Sequence, residues 1–385
     1  MFKENYLSII DFGSSKTRIT IFDSNLNIAF TQSLNKNLNS EDVQYFNLFK
    51  NIIKTAEKKI SSHIDDTILI FDSGETFVLE ISLQKKFDKN LNFMKAYEIL
   101  KQEIQQIINN NYNEYQIIHT IFKRGIIDNK LFNTYPNNIK NITEIKIDFK
   151  VICFPKIHID KIEKDLNKNN LNVSKIFCSS FLKSLSYSNK LNLKKVAFLD
   201  IGYERTSFAF YKNNSLKYMQ SIKIGSNHIT KDISKIFKIN IEDAEKIKKL
   251  FNKAETEFSY NNNKDEENIA VKDILKKNIS INLLKKVILY RVQEIFDLVF
   301  KKFEINNVNF LETELFLIGD GSILFNNNSF YLKDKFPFKS INYFYETDVQ
   351  ICNAALDYYI NFYEKPVTKQ KNQGLFERFF NLFEK

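Results

Sequence analysis

The chain opens with two apolar segments separated by a turn of small residues. Residues 6–11 form an apolar run, residues 17–22 alternate between apolar and polar positions, and residues 13–15 are Gly-Ser-Ser. Alternation with a period of two is typical of a strand, so this pattern predicts a β-hairpin. A helical pattern over residues 42–61 and an apolar strand at residues 67–71 follow.

The pattern changes between residues 76 and 154, where short strands surround one helical segment near residues 92–110. We interpret this stretch as a small inserted α+β unit. Beyond it, residues 159–189 follow the order helix, strand, helix, which is typical of an α/β layer.

The opening pattern recurs in the second half of the chain. Residues 195–224 predict a strand, a turn and two further strands. In both hairpins an aspartate ends the first strand and a glycine follows two residues later: Asp11 and Gly13, then Asp200 and Gly202. This internal duplication predicts two related lobes that face each other.

Four further segments complete the predicted elements. Residues 232–252 and 279–303 have helical patterns, and a polar loop is predicted at residues 261–268. Residues 314–318 predict a strand that runs directly into the glycine-containing loop at residues 319–322.

The composition is that of a folded protein with more than one lobe. A length of 385 residues exceeds one ordinary domain, and 43% hydrophobic with 26% charged residues is usual for a soluble fold. No run of about 18 apolar residues occurs, and the first six residues lack the apolar core of a signal peptide. We therefore expect the chain to fold in the cytoplasm.

The composition also argues against two classes of function. The three cysteines and four histidines are scattered, without the spacing of a disulfide framework or a zinc site. The net charge of +10 could favour binding to nucleic acid or to anionic lipid. However, many lysines stand beside acids, as in residues 242–249, and no arginine-rich stripe occurs. We therefore expect no nucleic-acid partner.

Three strand ends carry residues suited to a nucleotide. In the first two, Asp11 and Asp200 could hold hydrated Mg²⁺, and the small residues of the turns let backbone N–H groups approach phosphate. In the third, the glycines of residues 319–322 would let the backbone pass against adenine and ribose. Each loop alone could be a plain β-turn, but three in this order indicate an actin-like ATPase fold. The candidates are Asp11, Gly13, Ser14, Ser15, Lys16, Asp200, Gly202, Thr206, Gly319, Asp320, Gly321 and Ser322.

Three other segments resemble the bacterial cell-division family FtsA. Residues 222–233, Ile-Lys-Ile-Gly-Ser-Asn-His-Ile-Thr-Lys-Asp-Ile, look like the family pattern Ile-Pro-x-Gly-Gly-Asp-His-x-Thr-x-Asp-Ile. Residues 244–248 are similar to its Ala-Glu-x-x-Lys, and residues 291–295 to its Arg-x-x-Glu-Ile helix. The resemblance covers essentially the whole chain, with the inserted unit after Thr76, where FtsA carries its small domain.

The resemblance implies an α/β, actin-like (ribonuclease H-like) fold with two lobes and a duplicated βββαβα core. A small α+β subdomain is inserted in the first lobe, and the chain ends in an amphipathic helix. The implied divisions are residues 1–75 and 155–192 for the first lobe, 76–154 for the inserted subdomain, 193–232 and 308–363 for the second lobe, 233–307 for its upper subdomain, 364–373 for a linker and 374–385 for the helix.

The resemblance also implies ATP and Mg²⁺ as cofactors, with the metal held through water by Asp11 and Asp200. In the family, the acid and the lysine of Ala-Glu-x-x-Lys lie beside the nucleoside. The additional nucleotide-binding residues implied in this way are Gly225, Ser226, Asn227, Glu245 and Lys248.

The sequence departs from the family where phosphate chemistry occurs. The second phosphate loop of FtsA is Asp-x-Gly-Gly-Gly-Thr-Thr-Asp, whereas here Tyr203 and Glu204 replace glycines and Ser207 replaces the final aspartate. Asp320 and Ser226 each replace another glycine. The side chains at 203 and 204 oppose positive φ and crowd a phosphate, and Glu204 places negative charge near a polyanion. We therefore expect Mg-ATP binding with at most slow hydrolysis and name no catalytic residue.

The last twelve residues have the pattern of a short amphipathic helix. At ~100° per residue, the six large apolar side chains fall within an arc of about 160°: Leu375, Phe376, Phe379, Phe380, Leu382 and Phe383. The folded part is predicted to end near Tyr363, so a polar linker separates this helix from it. The pattern predicts reversible insertion into an anionic membrane surface, helped by the linker lysines. The alternative is a helix docked on the protein's own core.

The resemblance implies a cell-division adaptor that polymerises and tethers FtsZ to the cytoplasmic face of the inner membrane at the septum, together with downstream divisome proteins. In the family the C-terminal peptide of FtsZ docks on the upper subdomain, here about residues 235–307, where we nominate Arg291. The alternatives are a small-molecule kinase, a chaperone-type ATPase or a pilus-assembly protein of the same fold. The sequence shows neither the substrate cleft that a kinase needs nor the substrate-binding domain of a chaperone. The C-terminal helix argues against the pilus-assembly interpretation.

Overall fold

The computed structural model describes residues 6–36, 42–136, 139–258, 280–304, 310–325 and 336–362. The predicted polar loop at 261–268, the linker at 364–373 and the amphipathic helix at 374–385 lie outside these residues. None of the helices in the described ranges is both long enough and apolar enough to span a bilayer.

The first lobe is built on a five-stranded sheet with the order β3-β2-β1-β4-β9. Its strands are β1 (Tyr6–Phe12), β2 (Lys16–Asp23), β3 (Ile28–Asn35), β4 (Asp66–Phe71) and β9 (Asn172–Cys178). The three N-terminal strands pair antiparallel, and β1, β4 and β9 run parallel. Strand β1 is apolar because both faces of the sheet are covered, as is usual where parallel strands are joined through helices.

The second lobe repeats this sheet with the order β12-β11-β10-β13-β14. Its strands are β10 (Lys195–Ile201), β11 (Thr206–Lys212), β12 (Ser215–Ile222), β13 (Glu314–Ile318) and β14 (Ser340–Tyr343). The pairing directions are the same as in the first sheet. The duplication predicted from the two hairpins is therefore present in the structure.

Helices fill the space between and around the two sheets. They are α1 (Asp42–Ile60), α3 (Lys156–Asn167) and α4 (Ser179–Leu191) in the first half, and α5 (Ser226–Phe237), α6 (Ile241–Phe258), α7 (Ile281–Glu304) and α8 (Gln350–Phe362) in the second. Helices α4 and α8 contact each other, and α4 also contacts strands of both sheets. One hydrophobic core therefore runs from Ile10 in β1 through Leu182 in α4 to Phe198 in β10.

The inserted unit is a separate antiparallel layer with its own core. Its sheet has the order β5-β8-β6-β7, and its elements are β5 (Phe77–Leu91), α2 (Phe93–Asn111), β6 (Tyr115–Ile127), β7 (Lys130–Phe132) and β8 (Ile142–Pro155). The side chain of Asn92 caps α2 by accepting the N–H of Lys95 at 2.9 Å. Leu100 and Ile104 of the helix pack against Ile147 of the sheet.

The single helix predicted over residues 232–252 is wrong: the structure has two helices, α5 and α6. Lys238 ends α5 in the left-handed conformation, with φ of 53°. Asn240 then starts α6 by accepting the N–H of Asp243 at 2.7 Å. The loop predicted at residues 319–322 also differs, because a 3₁₀ helix, Asp320–Phe325, begins within it.

A candidate nucleotide cleft between the two hairpins

A cavity of about 370 Å³ lies where the first turns of the two lobes face each other. Both β1 and β10 end at this cavity, because the two sheets repeat one another. Many of the predicted residues line it: Asp11, Gly13, Ser14, Ser15, Lys16, Asp200, Gly202, Gly319 and Asp320. The other predicted residues lie around it and are described below.

Asp11 is buried at the end of β1 and is paired with Arg18. The antiparallel register places the two residues opposite each other, and Nη1 of Arg18 lies 2.9 Å from Oδ2 of Asp11. Burial raises the pKa of the Asp11 carboxyl, although Arg18 and Lys183 oppose this shift. Arg18 also contacts Asp348 at 3.0 Å. The predicted phosphate ligand Lys16 reaches the same Asp348 oxygen at 3.0 Å.

Asp200, the counterpart in β10, faces the ammonium group of Lys183. Nζ of Lys183 lies 3.4 Å from Oδ2 and 3.5 Å from Oδ1 of Asp200, and 3.0 Å from Oε2 of Glu346. Burial disfavours the charge on Lys183, but the carboxylates of Asp200, Glu346 and Asp11 raise its pKa above the usual value. Lys183 therefore stays protonated in the cleft.

These contacts decide how well the two aspartates suit Mg²⁺. Carboxylate oxygens are good ligands for this ion, but Asp11 is engaged by Arg18 and Asp200 lies within ion-pair distance of Lys183. As arranged, the pair does not fit a metal ion unless these two cationic side chains move. Binding of Mg²⁺ by Asp11 and Asp200 stays a prediction.

A further ion pair joins the lobes across the cleft. The guanidinium group of Arg205, in the second hairpin, contacts the carboxylate of Asp72, which follows β4. Asp72 also accepts the backbone N–H of Ser180 at 2.9 Å, at the start of α4. Burial raises the pKa of Asp72, while Arg205 lowers it. Nη1 of Arg205 donates to Ser207, the serine at the position of the family's final aspartate, at 2.7 Å.

The turn of the second hairpin packs against the beginning of α5. The carbonyl oxygens of Gly202 and Tyr203 accept the N–H groups of Ser226 at 2.9 Å and Asn227 at 2.8 Å. A side chain at Gly225 would meet the Tyr203 oxygen at 2.6 Å, so only glycine fits there. Gly225, Ser226 and Asn227 therefore hold the turn in place, and the two N–H groups are occupied by protein.

The two side chains that replace glycines have specific contacts. Glu204 is exposed and accepts the side-chain N–H of Asn227 at 2.6 Å. The hydroxyl of Tyr203 is buried without a hydrogen-bond partner among the described residues. Its ring lies 5.8 Å from Nζ of Lys248. The Tyr203 ring therefore lies beside Lys248, one of the two residues that the family pattern places next to the nucleoside.

Glu245 and Lys248 pair with each other at 2.6 Å. Lys248 is buried, and its Nζ also donates to the hydroxyl of Thr230 at 2.7 Å and to the carbonyl of Ser226 at 3.1 Å. Within the described part of the chain, neither residue of the pair belongs to the cavity lining. Their proposed contact with a nucleoside therefore needs Tyr203 to move.

The third loop crosses the end of β10 closely. Gly319 has φ of 85°, and a side chain there would meet the carbonyl oxygen of Ile201 at 2.7 Å. A side chain at Gly321 would meet the same oxygen at 2.8 Å. Thr206 is buried and donates to the carbonyl of Ile224 at 2.8 Å. Ser322 is also buried. Gly321, Ser322 and Thr206 support the cleft from behind its surface.

Sequence analysis missed most of the charged partners in the cleft. They are Arg18, Asp72, Lys183, Arg205, Glu346 and Asp348. Arg18 could have been found, because a tight hairpin places it opposite Asp11. Lys183 could not, because it lies on a helix that meets the cleft only after the two sheets have packed around it.

The nominated FtsZ contact lies away from the cleft, on α7. Arg291 binds Asp232 of α5 through Nε at 2.7 Å and Nη2 at 2.9 Å. Its Nη1 reaches Glu294 at 2.5 Å. Arg291 therefore ties α5 to α7 in addition to any contact with a partner.

Comparison with known proteins finds similarity to the FtsA family. The family model described as cell division protein FtsA matches residues 197–355, which include the second hairpin, α5 to α7 and β13. FtsA of Helicobacter pylori strain J99 is 26% identical over 153 residues, which cover 38% of this chain and 31% of that protein. Over residues 197–355, the chain is similar to the FtsA family.

Other comparisons extend the likeness along the chain. FtsA of Neisseria meningitidis serogroup B strain MC58 is 24% identical over 323 residues, covering 77% of this chain and 73% of that FtsA. The chain spans less than a third of the length of the Helicobacter pylori relatives that it matches.

Solved structures show the fold. The PilM–PilN type IV pilus biogenesis complex aligns with a TM-score of 0.60 at 12% identity, covering 90% of this chain and 89% of that one. MreB 5 of Spiroplasma citri, bound to AMPPNP, aligns with a TM-score of 0.51 at 11% identity, covering 94% and 97%. The predicted actin-like fold is confirmed. At these levels of sequence identity, structural similarity shows only that the fold is shared. It therefore does not favour the pilus-assembly interpretation.

Proposed function

We propose that this chain is a cell-division adaptor. In this proposal it binds ATP in the cleft, assembles with copies of itself, and tethers FtsZ to the cytoplasmic face of the inner membrane at the septum, where downstream divisome proteins join. The observation that carries the proposal is that the FtsA family model covers the second hairpin, α5 to α7 and β13 together. The division into two lobes, an inserted subdomain and an upper subdomain is part of the same proposal.

Nucleotide binding is supported by the composition of the cleft. Among the described residues, five lysines and arginines line the cavity: Lys16, Arg18, Lys183, Arg205 and Lys223. Backbone turns and cations are the groups that bind phosphate. MreB 5, which shares the fold, was solved with AMPPNP. Tyr203 and Glu204 crowd the second turn, so we propose modest affinity and at most slow hydrolysis.

Membrane tethering is supported by the sequence of residues 374–385, which lie outside the described residues. Burying six large apolar side chains, at roughly 1.5–3 kcal/mol each when fully buried, offsets the ordering of a short helix only in part. One copy should therefore bind reversibly, and assembled copies should bind more tightly because of their high effective concentration.

Liposome sedimentation tests the adaptor proposal. The full chain should sediment with anionic liposomes, and a chain ending at residue 373 should stay folded in the supernatant. Phe379→Glu with Phe380→Glu should act like the truncation, because it charges the apolar face. The matched control, Gln373→Glu with Asn381→Glu, adds the same charge at polar positions and should reduce binding much less. Equal sedimentation of the full and truncated chains would end the membrane-anchor proposal.

A further inference from the structure

Lys183 places a fixed positive charge in the candidate nucleotide cleft. It lies on α4, and its side chain is only 15% exposed yet lines the cavity. Its Nζ lies 3.4 Å from Asp200 at the end of β10 and 3.0 Å from Glu346. It also interacts electrostatically with Asp11 at the end of β1. The ammonium group of Lys183 therefore pairs with Asp200 and lies in the electrostatic field of Asp11, which is itself paired with Arg18.

The position of Lys183 is held from the other side by Glu346. This glutamate accepts the hydroxyl of Tyr187 at 2.9 Å and the backbone N–H of Gly319 at 2.9 Å. Glu346 thus links Lys183 to the third loop of the cleft and is a positioning residue. If Lys183 swung away from Asp200, it would also lose its ion pair with Glu346.

Two buried carboxylates that face a polyanion require positive charge between them and the phosphates. A divalent metal ion can supply this charge, and so can a buried cationic side chain. A lysine ammonium group has three donors, so it can contact Asp200 and Glu346 and still offer a donor toward the cavity. Being covalently attached, it is present whether or not a metal ion is bound.

We propose that Lys183 takes the place of the divalent cation, so that this chain binds ATP without requiring Mg²⁺. The inference rests on the proposed function, because it assumes that the cleft holds a nucleotide. It makes Lys183 the residue that sets the metal requirement. A lysine with a purely structural role would leave that requirement unchanged.

Calorimetric titration of the full chain with ATP tests the inference. The titration is run once with excess MgCl₂ and once with excess EDTA, at matched ionic strength. The dissociation constants of the unmodified chain should agree within about threefold, which corresponds to less than 1 kcal/mol. Lys183→Ala should bind at least about tenfold more weakly in EDTA and recover part of the loss with MgCl₂. Lys183→Arg, which keeps the charge, should remain nearly independent of the metal.

Lys190→Ala is the matched control, because Lys190 is an exposed lysine near the end of the same helix. It should behave like the unmodified chain in both buffers. Binding by the unmodified chain that is more than tenfold tighter with MgCl₂ would overturn the inference and leave the proposed function standing. A metal requirement that does not change in Lys183→Ala would overturn the role of Lys183. If ATP binds in neither buffer, the nucleotide part of the proposed function fails and the inference fails with it.

The comparison of the unmodified chain in the two buffers does not depend on any variant folding. Thermal unfolding with and without ATP gives a second readout. ATP should raise the melting temperature of the unmodified chain by similar amounts in MgCl₂ and in EDTA, because a ligand that binds only the folded state stabilises it. A rise in MgCl₂ alone would contradict the inference.

Discussion

Tyr203 and Glu204 govern access to the part of the cleft beside α5. The Tyr203 ring lies over Lys248, and Glu204 holds the side chain of Asn227. Glu204 adds a negative charge: at ~4 Å and an effective dielectric of 20, two unit charges repel by about 4 kcal/mol. Glu204 is exposed, so water and salt screen most of this repulsion. Steric closure by Tyr203 is therefore the larger obstacle to a nucleotide.

Replacing both side chains by glycine should tighten ATP binding. Tyr203→Gly with Glu204→Gly uncovers Glu245 and Lys248 and removes the extra charge, and we expect a gain of about tenfold, or ~1.4 kcal/mol. Calorimetry measures it. Tyr203→Phe is the control, because it keeps the ring and removes only the hydroxyl, and it should leave the affinity unchanged. Equal affinities for the glycine variant and the unmodified chain would remove Tyr203 as the obstacle. Turnover of ATP several times per second by the unmodified chain would favour the enzyme alternative.

Helices α5 and α7 form the surface on which the FtsZ peptide is proposed to dock, and Arg291 joins them. Arg291→Glu should weaken binding of a peptide from the FtsZ C-terminus, because it reverses the charge on that surface. Lys123→Glu is a comparable reversal: Lys123 also pairs with a carboxylate, that of Glu80 at 2.7 Å, but it belongs to the inserted unit. Fluorescence anisotropy of a labelled peptide should show a loss at least about fivefold larger, ~1 kcal/mol, for Arg291→Glu.

Arg291→Glu also places a third carboxylate beside Asp232 and Glu294, so the folded state of both variants must be compared. Similar melting temperatures for the two variants, with unequal peptide affinities, would assign the difference to the docking surface. Equal losses of affinity would show that the site is placed wrongly.

Most elements could be predicted from the sequence because their signals are local. Strand β13 lies at Glu314–Ile318, as predicted, since the apolar run is bounded by polar residues and a glycine. The break between α5 and α6 could not be found in the same way. Ile233 and Ala244 enter the same core on either side of it, so the apolar pattern runs on. The left-handed turn at Lys238 and the cap at Asn240 separate the helices.

In the candidate site, the strand-end aspartates could be predicted from the sequence, but their cationic partners could not. Asp11 and Asp200 end apolar strands, and the repeat of this pattern indicated that they share a cleft. Their cationic partners are set by packing. Lys183 reaches Glu346 across 163 positions of the chain, and Lys16 reaches Asp348 across 332. Such contacts exist only after the lobes have packed, so no local pattern reveals them.

At the scale of the whole molecule, polar contacts from distant parts of the chain meet near the cleft. Asp348, two residues before α8, accepts from Lys16 at 3.0 Å, Arg18 at 3.0 Å and Ser33 at 2.8 Å. The Asp72–Arg205 pair joins the first sheet to the second hairpin. Lys150 of the inserted unit donates to the carbonyl of Lys217 in β12 at 2.6 Å. The relative position of the lobes therefore depends on charge as well as on the shared apolar core.

Asp348 gives this dependence a measurable pH signature. Partial burial opposes its charge, but hydrogen bonds from Lys16, Ser33 and Arg18 lower the pKa of its carboxyl from 3.8 to about 2. A carboxyl whose pKa is lower in the folded state stabilises that state above the unfolded pKa, and this contribution is lost as the pH falls through the folded value. Because the side chain of Asp348 is 40% exposed, we expect a discounted contribution of about 1 kcal/mol.

Asp348→Asn should therefore lower the free energy of unfolding by about 1 kcal/mol at neutral pH. The difference from the unmodified chain should shrink as the pH falls from about 4 toward 2, because the unmodified chain loses the same contribution there. Urea unfolding across this pH range measures it. Asp160→Asn, at an exposed aspartate of α3, is the control and should change stability little at any pH. A difference for Asp348→Asn that stays constant with pH would mean that the ion pairs of Asp348 do not stabilise the packing of α8 against the first sheet.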